Sequence, residues 1–211
     1  MADRSSPIPT ISIVVEGDAD EAVARRLVEH VGGMSGTVYG RSGKAKVLSS
    51  VHGYTNAAQR SPWFVLIDLD RDAECAPTLR AACLPRVSKW LCFRIAVREI
   101  ESWLLADRQS LARFLGVRER AIPRDPDNDP DPKATVVNLA RQSSHRGIRE
   151  DLVPTERSGR RVGIAYTSRM IEFARQHWDI ERATASSPSL ESAVACLADL
   201  VKRYAAEGHL S

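Results

Sequence analysis

The stretch Trp63 to Asp72, WFVLIDLDRD, narrows the possible folds more than any other part of the chain. The uninterrupted apolar run from Trp63 to Ile67 suits a strand buried on both faces, as in the interior of a parallel sheet. It then meets Asp68, Asp70 and Asp72 at every second position. Side chains alternate along an extended chain, so the spacing predicts Asp68 and Asp70 on one side, with Asp72 following if the chain stays extended. The carboxyl ends of such strands are where open α/β sheets place their ligands. Carboxylates converging there would repel and take up protons unless a cation joins them, and hard oxygen ligands suit a divalent ion.

The rest of the chain alternates in the way such a sheet requires. Ile11 to Val15 reads as a first strand, and the helical spacing of Ala22, Val23, Leu27, Val28 and Val31 predicts a helix after it. Gly33 to Gly43 reads as a glycine-rich loop with room for one short strand, and Lys44 to Ala58 as a helix. After the strand at Trp63 come a helix over Pro77 to Arg86 and a strand over Trp90 to Val97. From Glu99 the pattern turns helical, with Asp107 as an N-cap between two segments, then helices near Lys133 to Arg141, Gly163 to Gln176 and Ser189 to Ala206. This predicts an α/β fold, a mostly parallel central sheet flanked by helices with a helical C-terminal elaboration. With 211 residues, one domain is expected, its metal-binding core over 1–106 and its elaboration over 107–211.

No stretch approaches the roughly 18 apolar residues of a membrane span, and the N-terminal MADRSSPIPT has no apolar run of the kind a leader needs, which predicts a cytoplasmic protein. Cys75, Cys83, Cys92 and Cys196 form no CxxC pair and read as buried, reduced thiols. The net charge of +3 permits a nucleic-acid partner without requiring one. Charge is concentrated in Arg141 to Arg161, where six arginines and His145 face three acids. Arg141, Arg146, Arg149, Arg160 and Arg161 are the candidates there for phosphate contacts.

Several apparent motifs fail on spacing. A phosphate loop around Gly43-Lys44 is excluded by Val38 and Ala45, which stand where a glycine and a magnesium-binding hydroxyl belong. A calcium loop beginning at Asp125 is excluded by Pro130 and Val136. The five histidines show no metal-ligand spacing, and no serine sits in a GxSxG elbow.

The acids at strand ends form the stronger pattern. Glu16 and Gly17 follow the first strand, Asp20 lies on the opening turn of the next helix, and Arg98-Glu99-Ile100-Glu101 follows the third long strand. Glu99 and Glu101 would share a side if extended and diverge by about 200° within a helix. Each acid alone has a structural use: Glu16 as a cap, Asp20 as a partner of Arg25, the aspartate pair as a turn. Three acidic strand ends in succession point instead to a metal site.

VVEGDAD (Val14 to Asp20) with LIDLDRD (Leu66 to Asp72) resembles the TOPRIM domain, with its glutamate-glycine after the first strand and DxD after a later one. Asp20 and REIESWLL (Arg98 to Leu105) look most like the nuclease branch of the overcoming-lysogenization-defect type. The whole chain is similar to a bacterial family of TOPRIM-like proteins through DLDRDAECAP, RIAVREIESWLLADR, the DPK at Asp131 to Lys133 and SPSL at Ser187 to Leu190. Its members are often encoded beside an ATPase of the AAA or ABC type and are associated with phage defence.

The resemblance implies an endonuclease dependent on Mg²⁺ or Mn²⁺, acting on DNA. Asp68 and Asp70 would hold one metal with Glu16, while Asp20 and Glu99 or Glu101 would help hold a second. Two ions about 3.5 to 4 Å apart can activate a water and stabilise a leaving oxygen. Lys133 would neutralise charge developing on the phosphate, making Glu16, Asp68, Asp70 and Lys133 the expected catalytic set. The chain has no phosphate loop of its own, so nucleotide control would come from a partner. Two alternatives stand beside this: a non-catalytic subunit of the same fold that binds metal and nucleic acid, and a haloacid-dehalogenase-type phosphatase. The latter leaves Glu16 and Asp20 unexplained and does not expect an aspartate at position 72.

Overall fold

The structure is a computed structural model that describes residues 8–84 and 86–207. The N-terminal residues on which the expectation of no leader partly rests, 1–7, lie outside the described residues. The chain runs β1 (Thr10–Val15), α1 (Asp18–His30), β2 (Met34–Gly40), α2 (Lys44–Ser49), α3 (Val51–Ala57), β3 (Trp63–Asp68), α4 (Ala76–Cys83) and β4 (Leu91–Ala96). It continues as α5 (Ile100–Ala106), α6 (Arg108–Leu115), α7 (Pro132–Arg141), α8 (Arg146–Leu152), α9 (Tyr166–Gln176), α10 (Ile180–Thr184) and α11 (Pro188–Glu207). The sheet is parallel with strand order β2-β1-β3-β4, and helices flank it, a Rossmann-like α/β arrangement.

Two compact units divide the chain discontinuously. One comprises Met1–Ile67, Pro77–Ile95 and Ser192–Ser211; the other comprises Asp68–Ala76 and Ala96–Glu191.

The first unit is built on the sheet. All of β3 is buried, and Phe64, Val65, Leu66 and Ile67 are wholly enclosed, as their unbroken apolar run requires. From α1, Ala22, Val23, Leu27 and Val28 are buried at helical spacing, while Asp18, Asp20 and Glu21 fill the first turn, where the helix dipole favours acids. Gly40 ends β2 at φ +88°, and a Cβ there would lie 2.2 Å from the Val15 carbonyl oxygen, so only glycine fits. The single helix expected over Lys44 to Ala58 is broken at Ser50. There Ser49 donates its hydroxyl to the Lys46 carbonyl oxygen (2.9 Å), the local competition by which serine interrupts helices.

Cysteine chemistry also differs from expectation. Cys92 of β4 and Cys196 of α11 form a disulfide with Cα atoms 6.0 Å apart, and Cys75 is exposed. Their separation of 104 residues hid the pair from any spacing rule.

The second unit is helical. Leu104, Leu111, Leu115, Val136, Leu139, Leu152, Met170 and Phe173 are buried in it. Trp103 is wholly enclosed, donating its indole N–H to Ser189 Oγ (2.7 Å) and accepting from the Trp178 indole at its carbonyl (3.2 Å). Asp107 is the N-cap of α6, accepting the Ser110 N–H at 3.2 Å. It also accepts the Asp179 N–H (2.8 Å) and the Arg182 guanidinium (3.0 Å), and its side chain is 0% exposed. One carboxylate therefore joins the starts of α6 and α10. The sequence pattern left α8 and α10 unread; α8 buries only Ile148 and Leu152, one turn apart, among charged residues.

Asp107→Ala removes a cap and the buried end of an ion pair, while Arg182, 42% exposed, keeps Asp179 at 2.7 Å. A loss of about 2 kcal/mol is expected, mostly from the cap and the buried hydrogen bonds, measured from urea denaturation midpoints, with Asp107→Asn keeping part of the stability because the amide oxygen still caps.

Candidate functional site

The predicted acids divide between the two units. In the first, Glu16 follows β1 and its carbonyl accepts the Gly43 N–H at 3.0 Å. Asp20 is buried in the first turn of α1, its Oδ2 3.2 Å from where a Cβ on Gly17 would lie.

The second unit gathers the others. Asp68 is the last residue of β3, and its Oδ1 accepts the Ile100 N–H at 2.9 Å, satisfying a donor that the start of α5 leaves without a helical partner. The extended geometry stops there. Asp70 has φ +49°, a left-handed conformation that aspartate tolerates better than most residues, and its N–H bonds to the Arg98 carbonyl oxygen at 2.8 Å. The alternation expected to align Asp68, Asp70 and Asp72 therefore does not extend past Asp68: the chain turns, held by the Arg98 backbone and by the Arg98 side chain, which donates to the Asp70 carbonyl oxygen at 3.0 Å.

Glu99 is the extended N-cap of α5 and Glu101 its second residue. That half-in, half-out placement brings both carboxylates to one cation. Lys133 Nζ lies 3.5 Å from Glu99 Oε1 and 3.5 Å from Glu101 Oε1, while the Lys133 backbone N–H donates to Glu99 Oε2 at 3.2 Å. Lys133 is in the first turn of α7, after its N-cap Asp131 and Pro132, so Glu99 also faces the positive end of a helix. Burial works to lower the Lys133 pKa, but the carboxylates of Glu101, Glu99 and Asp68 outweigh it and hold the ammonium above the usual lysine range.

Glu101 is 2% exposed. Burial raises its pKa, Lys133 opposes that and Glu99 adds to it. Its Oε1 accepts the Tyr166 hydroxyl at 3.2 Å, and its Oε2 is buried without a hydrogen-bond partner. Burial first, then Glu101, keeps the Tyr166 phenol protonated well above its usual range, which makes it a lasting donor. No motif announced Tyr166.

Beside this cluster lies a cavity of about 390 Å³ lined by Asp70, Arg71, Asp72, Arg98, Glu99, Pro130, Asp131 and Arg161. Of the arginines singled out from sequence, Arg161 reaches it, paired with Asp131 at 2.6 Å. Arg160 is exposed. The other three are engaged locally: Arg141 with Asn138 (2.7 Å), Arg146 with Glu150 (2.7 Å) and Arg149 with the Ser143 carbonyl oxygen. Arg71 and Arg98 line the cavity and were not among the expected phosphate contacts, although both adjoin its acids in sequence. The acidic loop after Asp125 is structural: Asp127 accepts the Ser187 hydroxyl (2.7 Å) and the Ser189 N–H (2.9 Å) at the start of α11.

In kind, the donors suit a hard divalent cation. The cluster and cavity together hold Asp68, Asp70, Asp72, Glu99, Glu101 and Asp131 against Arg71, Arg98, Arg161 and Lys133, an excess of carboxylates. Among the described residues, no three or more His, Cys, Asp or Glu side chains are grouped so that they could hold a metal ion. No helix among those residues is long and apolar enough to cross a membrane. Compared with models of known families, with curated proteins and with solved structures, the chain matches none.

Lys133→Met leaves Glu99 and Glu101 facing each other without a cation. Because the Lys133 side chain is 32% exposed, the cost should fall below that of a fully buried pair, at about 2 kcal/mol near neutrality. The sign with pH follows from Glu101, whose raised pKa makes the folded state bind protons more tightly than the unfolded one. That contribution is present below the ordinary glutamate value and is lost as pH rises through the raised one. Chemical denaturation should therefore show a deficit for Lys133→Met that grows as pH rises through the raised Glu101 value, where the carboxylate needs the ammonium.

Proposed function

We propose that this protein is a divalent-metal-dependent endonuclease that hydrolyses phosphodiester bonds in DNA. The observation that carries the reading is the meeting of Glu99 and Glu101 on Lys133, within the electrostatic reach of Asp68 and beside an arginine-lined cavity, since phosphodiester hydrolysis needs both acids and cations. The likeness to TOPRIM-type nucleases supports the same reading, and in that likeness Glu16 and Asp20 are further expected carboxylates.

Mg²⁺ or Mn²⁺ bound to such carboxylates, as one ion or two, supplies a Lewis acid and an activated water. The chain's own groups do the remaining work. Arg98 and Arg161 take the non-bridging oxygens of a phosphate in the cavity, Lys133 brings a charge that persists throughout the neutral range, and the Ile100 N–H fixes the orientation of Asp68. A role in phage defence with a separately encoded ATPase follows from the same likeness. A cytoplasmic location, where such an enzyme meets incoming DNA, would place Cys92 and Cys196 under reducing conditions.

One observation favours a second reading. Lys133 already neutralises the acids in the manner of a structural ion-pair network, as in a non-catalytic subunit that binds nucleic acid.

Supercoiled plasmid incubated with Mn²⁺ separates the readings. Asp68→Asn keeps an oxygen for the Ile100 N–H but loses its charge; nicking should fall at least about 100-fold, and Glu16→Ala should do the same with the fold intact by circular dichroism. Equal nicking by wild type and Asp68→Asn would refute the assignment, and no nicking under any metal would favour the binding subunit.

A further inference from the structure

Between Glu29 and Asp68 the chain has neither Asp nor Glu, but it carries Arg41, Lys44, Lys46 and Arg60. An acid-free stretch in a chain otherwise well supplied with acids is locally basic in sequence, although Glu21 of α1 reaches its Arg41. The same stretch contains an aromatic cluster. Tyr39 of β2 stacks on Trp63 of β3 with ring centroids 5.1 Å apart and an interplanar angle of 28°, and Tyr54 of α3 stacks on Trp63 at 5.7 Å and 29°. The sheet register explains how rings from non-adjacent strands meet. Tyr39 pairs with Val14, which pairs with Val65, while Ser12 pairs with Trp63. Residues two apart on a strand share a face, so Tyr39, Ser12 and Trp63 lie on the same side of the sheet. Ser12, on the intervening strand, is too small to keep the rings apart.

Trp63 is buried, but Tyr39 is 40% exposed on the edge strand of the sheet. Arg41 follows it by two residues, Arg60 precedes Trp63 by three, and Arg41, Lys46 and Arg60 are all exposed. Arg41 is paired with Glu21 at 3.1 Å, which leaves Lys46 and Arg60 as the cations of the segment for phosphates. Stacked rings with an open face, in a segment that carries these cations and no acid of its own, match a surface that accepts bases by stacking and phosphates by charge.

We propose that Tyr39, backed by Trp63 and Tyr54, is a stacking platform for the bases of a single DNA strand, whose phosphates are met by Lys46 and Arg60. The choice of DNA rests on the proposed nuclease reading; the platform is distinct from the acidic cluster of the second unit. A stacked aromatic is worth about 1–3 kcal/mol per base and does not discriminate among bases, so this surface would hold a strand without selecting its sequence.

Fluorescence anisotropy of a labelled oligothymidylate with the full chain, in EDTA, tests this independently of any cleavage. Tyr39→Ala should weaken binding about tenfold, while Tyr39→Phe and Tyr39→Trp should stay within about twofold because the ring and not the hydroxyl is used. Lys46→Glu with Arg60→Glu should weaken binding and flatten its dependence on salt. Wild-type affinity in Tyr39→Ala, at an unchanged melting temperature, overturns the proposal, as does an equal loss in Tyr39→Phe. A clear preference for oligouridylate overturns the choice of DNA. If sedimentation shows that Tyr39→Ala abolishes self-association while oligothymidylate affinity is unchanged, the face joins two copies of this chain and the proposal falls. Because metal is absent throughout, failure here leaves the nuclease reading standing, and loss of nicking in Asp68→Asn leaves this one standing.

Discussion

An ammonium group between two carboxylates organises the second unit around the start of α5. Lys133 links the first turn of α7 to Glu99 and Glu101, and its backbone N–H repeats the link to Glu99. Without it, two acids one residue apart and a third at Asp68 would share a poorly solvated volume, and mutual repulsion would drive protons onto them or force the segments apart. Burying such a group is costly, and a buried ion pair is weak evidence of stability gained. Its place beside an arginine-lined cavity is what the proposed function rests on.

Much of the architecture was legible because burial writes itself into apolar runs. The β3 segment reads as a central strand from its composition alone, and the spacing of Ala22, Val23, Leu27 and Val28 forecasts α1. Asp107 is legible as a cap because few residues can satisfy a helix start. What escaped was local or long-range. Helix α8 offers only two buried residues, too few for a periodicity, and the break at Ser50 is decided by a serine hydroxyl competing for a backbone carbonyl. The Cys92–Cys196 bond joins positions whose proximity only the folded chain creates.

The candidate site was legible in its residue types and less so in its geometry. Glu99, Glu101 and Lys133 were all singled out and lie together, and Asp68, also singled out, acts on the same lysine through its charge. The pleat argument failed for Asp70 because the strand ends at Asp68 and the chain enters a left-handed turn, which a two-residue alternation cannot foresee. For Glu99 and Glu101 the sequence left extended and helical placements both open, and the structure takes one of each: Glu99 stands outside the helix and Glu101 inside it. Tyr166 lies 65 residues from the glutamate it serves, and nothing in its own helix marks it.

The bond between Cys92 and Cys196 bears on how this chain behaves from one surrounding to another. A link closing a loop of 104 residues acts chiefly by shrinking the repertoire of the denatured chain, by about 5 kcal/mol of loop-closure entropy on the simplest account. Where thiols are kept reduced, the sheet unit would forgo that constraint while every folded contact remained in place. Its resistance to unfolding would then rest on its apolar interior, which β1, β3 and α1 share with β4 and the end of α11.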